Sequence, residues 1–114
     1  MKLIETLDRY TKSVKREKEE ALERLVKSPA YELSWVSESL FISSFQEEFF
    51  DRVISWLKIT ENTQEENLQT IKDDIDNQID RWYPESSTNP ISNATSLFKY
   101  SALKRIKEKL SYIR

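Results

Sequence analysis

The chain has no glycine, no cysteine and no histidine among its 114 residues. Average usage would give a chain of this length about eight glycines. Their absence excludes a phosphate-binding loop or a dinucleotide fingerprint, which need glycine where the backbone bends sharply or approaches a phosphate. It also removes the commonest two-residue hairpin turns. Without cysteine and histidine there is no thiolate or imidazole zinc site, no thiol nucleophile and no imidazole-dependent serine triad. The usual axial ligands of haem are missing too. No metal or other cofactor is expected. No disulfide can form, so the redox compartment is left open. No side chain has an unperturbed pKa between about 5 and 8 for a pH switch.

Long apolar runs are also missing. Nothing approaches the roughly 18 uninterrupted apolar residues of a membrane-spanning helix. The opening Met1-Lys2-Leu3-Ile4-Glu5 is broken by charge at once and lacks the apolar stretch of a signal peptide. A cytoplasmic location is the expectation.

What is present has helical period. Hydrophobic residues make up 38% of the chain, enough for a core in one domain spanning residues 1–114. Leu3, Leu7, Tyr10 and Val14 recur three and four apart, and Ala21 and Leu25 extend the phase, with Leu22 beside it. The spacing predicts a first helix over 2–27. Glu5–Arg9, Asp8–Lys12, Glu20–Arg24 and Glu23–Lys27 support it as pairs four apart. Glu17 falls where the apolar stripe would continue, marking the weakest core contact.

Ser28-Pro29 ends that helix and starts the next, Ser28 as a cap and Pro29 at the first helical position. The second helix is predicted over 29–59. Phe41, Phe45, Phe49, Val53 and Trp56 form its core line, with Ile42 and Leu57 widening it. Phe50 and Ile54 are placed at the margin. The serines between 34 and 44 predict a bend. Thr63 with Glu66 forms a capping box for a third helix over 64–82, carrying the stripe Leu68, Ile71, Ile75, Ile79 and Trp82. Tyr83-Pro84 stops it, and 84–92 reads as a loop. A fourth helix, capped by Ser92 or Asn93, runs from 93 to the end with Leu103, Ile106, Leu110 and Ile113 inward and Leu97, Phe98 and Ala102 assisting. The expected fold is all-α: a four-helix antiparallel bundle with long first and second helices.

Charge is sorted along the chain. Residues 1–28 carry +2, residues 29–60 carry −3, residues 61–91 carry −6 and residues 92–114 carry +5. The third and fourth helices are thus of opposite sign, as suits neighbours that attract. Asp73, Asp76 and Asp80 share the outer face of the third helix, where like charges three and four apart repel mildly. A basic protein surface would relieve that repulsion. Lys99, Lys104, Arg105, Lys107 and Lys109 on the fourth helix form an alternative, a basic stripe for nucleic acid. Glu108 interrupts it, and Lys99 lies near the apolar phase.

Glu47, Glu48 and Asp51 offer carboxylates three and four apart on the second helix, the residue type general acid–base chemistry uses. Nothing in the pattern places them in a pocket, so no catalytic residue is assigned and no enzyme is expected. Tyr31 and Trp35, four apart, form an aromatic patch suited to an intermolecular contact, and Phe50 and Ile54 form a second.

The reading is a small protein-interaction or regulatory module. It docks a protein partner or forms a homodimer through Tyr31, Trp35, Phe50 and Ile54, with Asp73, Asp76 and Asp80 setting specificity. The alternatives are a nucleic-acid-associated protein using the fourth helix and a helical enzyme using convergent carboxylates.

Overall fold

A computed structural model describes residues 2–27, 33–82 and 90–113. Among the described residues the chain is all-α, with four helices and the first two the longest: α1 (Lys2–Lys27), α2 (Leu33–Leu57), α3 (Gln64–Arg81) and α4 (Pro90–Ser111). It divides into two compact units, Met1–Thr60 and Glu61–Arg114, each built on one pair of helices.

In the first unit α1 and α2 pack antiparallel. Arg24 meets Trp35 near one end, Lys18 meets Glu47 midway, and Tyr10 meets Phe50 beyond it. The α1 stripe is buried at Leu3, Leu7, Val14 and Ala21. Thr11 also lies in it, and its hydroxyl donates to the Leu7 carbonyl at 2.9 Å. That bond satisfies a buried polar group within its own helix. Leu25 is half-buried, while Leu22 and Val26 are exposed.

The buried line of α2 differs from the expected one. It runs through Val36, Ile42, Ser43, Gln46, Phe49, Phe50 and Leu57. Phe50, expected at the margin, is fully buried, with its ring 6.0 Å from Tyr10 and 5.8 Å from Phe49. Phe41, Phe45, Val53, Trp56 and Ile54 are half-buried. The physical reason is that α2 carries large apolar side chains around most of its circumference. Periodicity then fixes the helix but not its inward side. Ser43 donates to the Ser39 carbonyl at 2.8 Å, and α2 runs as one helix through this serine-rich stretch. It ends at Leu57 rather than residue 59, because the Ile59 and Thr60 amides both bond to the Trp56 carbonyl in a tightened last turn. The Ser28-Pro29 start and Tyr31 lie outside the described residues.

In the second unit α3 begins as predicted. Thr63 is the N-cap, with extended backbone, and its side chain accepts from the Glu66 amide at 3.2 Å. Ile71 and Ile75 are buried; Leu68, Ile79 and Trp82 are half-buried. Asn67 is also buried, and its side-chain amide donates to the Asn62 carbonyl at 3.4 Å. The predicted stop at Tyr83-Pro84 lies outside the described residues, as does most of the 84–92 loop. α4 starts at Pro90, three residues before the expected position, so Ser92 and Asn93 lie inside the helix and do not cap it. Proline suits a first helical turn because its missing N–H is needed by no carbonyl there. Ala102, Leu103, Ile106 and Leu110 are buried, Phe98 and Ile113 half-buried, and Leu97 exposed, contrary to its expected inward role.

Phe50→Ala is expected to destabilise the chain by about 3–5 kcal/mol in urea denaturation, the usual cost of emptying a buried aromatic site. Val26→Ala, at a side chain 86% exposed, is expected to stay within about 0.5 kcal/mol. Thr63→Ala is expected to cost about 0.5–2 kcal/mol through loss of the α3 cap.

Candidate functional site

The chemistry-bearing residues of the second unit lie on α3 and α4, which run antiparallel. Asp76 meets Lys107, and Trp82 meets Lys99. The inward line of α3, through Asn67, Ile71 and Ile75, leaves Asp73, Asp76 and Asp80 on its exposed side, as their spacing predicts. Asp76 reaches across to α4 and takes the Lys107 ammonium at 2.8 Å. The hydrogen bond and charge of Asp76, with a further contribution from Asp80, raise the Lys107 pKa above the ordinary 10.5 against a small opposing effect of desolvation.

The neighbouring carboxylates are held differently. Asp73 accepts from the Gln69 side-chain amide at 2.9 Å, and Asp74 accepts from Gln78 at 2.8 Å. These donors are neutral. They orient the carboxylates without cancelling their charge, so the acidic face persists beside the Asp76–Lys107 ion pair.

The basic residues of α4 do not converge. At about 3.6 residues per turn, positions 99, 104, 105, 107 and 109 fan around the helix. The Lys99 ammonium lies 3.9 Å from the Trp82 ring centre, a cation–π contact on the inward side. Lys107 is on Asp76. Lys104 lies over the Tyr100 ring of its own helix at 5.3 Å. Lys109 is half-buried, Arg105 is exposed, and Glu108 is exposed as well. A small cleft of about 130 Å³ opens beside the ion pair, lined by Lys72, Ile75, Asp76, Lys107, Leu110 and Ser111.

In the first unit the proposed contact residues separate. Trp35 is 56% exposed, with the Arg24 guanidinium 5.4 Å from its ring centre. Ile54 is half-buried. Phe50 is core and offers no surface, a correction to its expected place in a contact patch. Its partner rings, Tyr10 and Phe49, close over it.

Glu47, Glu48 and Asp51 do share an open groove of about 490 Å³ with Lys18, Ser44, Arg52 and Ser55. Two of the acids face cations: Lys18 lies 3.3 Å from Glu47, and Arg52 lies 3.8 Å from Glu48. The Glu47 oxygen facing Lys18 is buried and makes no aligned hydrogen bond, so the contact is one of charge. Among the described residues no group of three or more acidic side chains is arranged to hold a metal ion.

The apolar spacing of α1 places Glu17 in its stripe. The structure exposes Glu17 and gives that position to Lys18. The signal was present: Val14, Lys18 and Ala21 are spaced four and three apart.

Among the described residues no helix is long and apolar enough to cross a membrane. No family model, no curated protein and no solved structure matches the chain.

The folded-state rise in the Lys107 pKa sets a sign. Its contribution to stability is fully present below the ordinary lysine value and is lost as pH rises through the elevated one. NMR titration of the Lys107 side chain is expected to place its midpoint above 10.5. Asp76→Asn is expected to bring that midpoint down, and an unmoved midpoint would assign the rise to some other group.

Proposed function

We propose that this chain is a small, non-enzymatic protein-interaction or regulatory module, acting in the cytoplasm by docking a protein partner. The observation that carries the reading is the exposed acidic face of α3. Asp73 and Asp80 stand exposed beside the Asp76–Lys107 pair, and Asp73 is oriented by a neutral amide. Such a face is complementary to a basic protein surface. It favours specificity and association rate more than raw affinity. On the first unit, taken by itself, the exposed Trp35 ring, with the Arg24 guanidinium 5.4 Å from its centre, offers an aromatic anchor. Dimerisation through Phe50 is set aside because that ring is buried within its own helix pair.

The nucleic-acid reading has less support. The bases of α4 point in different directions, and Lys99, Lys104 and Lys107 already have partners within the hairpin. The carboxylate-enzyme reading rests on the α2 groove alone, and there Glu47 and Glu48 face cations.

The test is recovery of the tagged full-length chain from its native cells, with and without nuclease, followed by mass spectrometry. A reproducible, nuclease-resistant protein with a basic surface is expected, and its yield should fall about tenfold or more with Asp73→Lys/Asp80→Lys, a loss of about 1.4 kcal/mol or more. Circular dichroism checks that the variant stays folded. Partners that vanish with nuclease, or that bind the variant equally well, would overturn the reading.

A further inference from the structure

Opposite charge joins α3 to α4 beside a buried apolar line, Ile71 and Ile75 on α3 and Ala102, Leu103, Ile106 and Leu110 on α4. Between Ile75 and the end of α3 no residue is fully buried; Gln78, Ile79 and Trp82 are half-buried. Toward the start of α3, a buried asparagine stands on the inward line at residue 67. The α1–α2 pair buries the larger rings Phe49 and Phe50, with Leu7, Val14, Ile42 and Leu57.

The α3–α4 seam is spanned by two cations of α4. Lys107 holds Asp76, and eight residues earlier Lys99 covers the Trp82 ring. At about 1.5 Å per helical residue the two contacts lie roughly 9–12 Å apart along the seam. The segments that carry them have net charges of −6 and +5.

We propose that α3 and α4 form an ionic clasp that dissolved ions open while α1 and α2 stay closed. The asymmetry comes from exposure. The Asp76 and Lys107 side chains are 54% and 59% exposed, so salt reaches them freely. The cross-helix pair of the first unit, Lys18–Glu47, is 37% and 20% exposed and better shielded. Screening therefore weakens the α3–α4 seam first. The raised Lys107 pKa is the same attraction seen from the proton's side. Opening parts Ile75 of α3 from Leu110 of α4, which line one cleft beside the ion pair. This device stands apart from the docking reading, since a chain that bound no protein would still show it.

Native-state amide hydrogen exchange on the full chain tests it, because exchange reports local opening element by element. Sodium chloride is varied from about 0.01 M to about 1 M, over which the Debye length falls from about 30 Å to about 3 Å. The amides of Ile71, Ile75, Ile106 and Leu110 are expected to exchange roughly two- to fivefold faster at high salt, the range an exposed ion pair supplies. Those of Leu7, Val14, Phe49 and Phe50 are expected to hold steady. Asp76→Lys should give the fast exchange at low salt, and Asp76→Lys/Lys107→Asp should restore slow exchange. Asp76→Asn serves as the milder variant should Asp76→Lys unfold the chain, and it is expected to shift the same amides in the same direction. Equal acceleration in both helix pairs, no salt response in α3 and α4, or failure of the exchanged pair to restore protection would each overturn the clasp.

Discussion

The apolar seam between α1 and α2 is the constraint on which the first unit depends. Neither helix can shield its stripe alone, and an isolated helix draws little stability from propensity. Phe50 sits within that seam, ringed by Tyr10 and Phe49. Burying one such side chain contributes about 1.5–3 kcal/mol. Two buried hydroxyls in the seam are satisfied within their own helices. Thr11 and Ser43 return their hydroxyl protons to carbonyls one turn back. The charged pair Lys18–Glu47 is only partly exposed, and the Glu47 oxygen facing Lys18 is buried. A helix as apolar as α2 thus accommodates hydroxyls in its interior without leaving them unpaired.

The second unit rests on a different balance. Its net charges are sorted by helix. Asp76–Lys107 and Trp82–Lys99 join them across the seam. Both contacts draw on the basic residues that a sequence reader would assign to a ligand. Charge assigned to function and charge used by structure are therefore in part the same charge. The acidic side of α3 is less spent, because glutamines rather than lysines orient Asp73 and Asp74. This difference, neutral partners on one helix and charged or aromatic partners on the other, is why the docking reading is built on α3 rather than α4.

Much of the backbone architecture was legible in the residue pattern. α1 has the span its periodicity predicts, and α3 starts at its Thr63 cap because a hydroxyl in that position meets an amide three residues on. Helix ends were less legible. The last turn of α2 tightens onto the Trp56 carbonyl, and α4 starts at Pro90 rather than after the Ser92 or Asn93 caps. Both adjustments depend on local backbone geometry that composition does not encode. Of the candidate site, the common exposed face of Asp73, Asp76 and Asp80 was legible, since helical period alone groups them. The place of Lys18 was legible too, in its spacing from Val14 and Ala21, whereas the core role of Phe50 was not.

The sequence by itself determined that this protein is helical, with four segments, where its charge lies, and which glycine-, cysteine- and histidine-dependent chemistries it lacks. Those follow from period and composition, which each residue carries whatever its neighbours do. Tertiary structure decided which side of α2 turns inward, because a helix apolar around most of its girth has no single inward side until α1 is laid against it. It also decided which charges are spent. Lys99, Lys107 and Lys18 are paired only because an antiparallel neighbour brings Trp82, Asp76 and Glu47 within reach. Such pairings join residues far apart in the chain, and no local period records them.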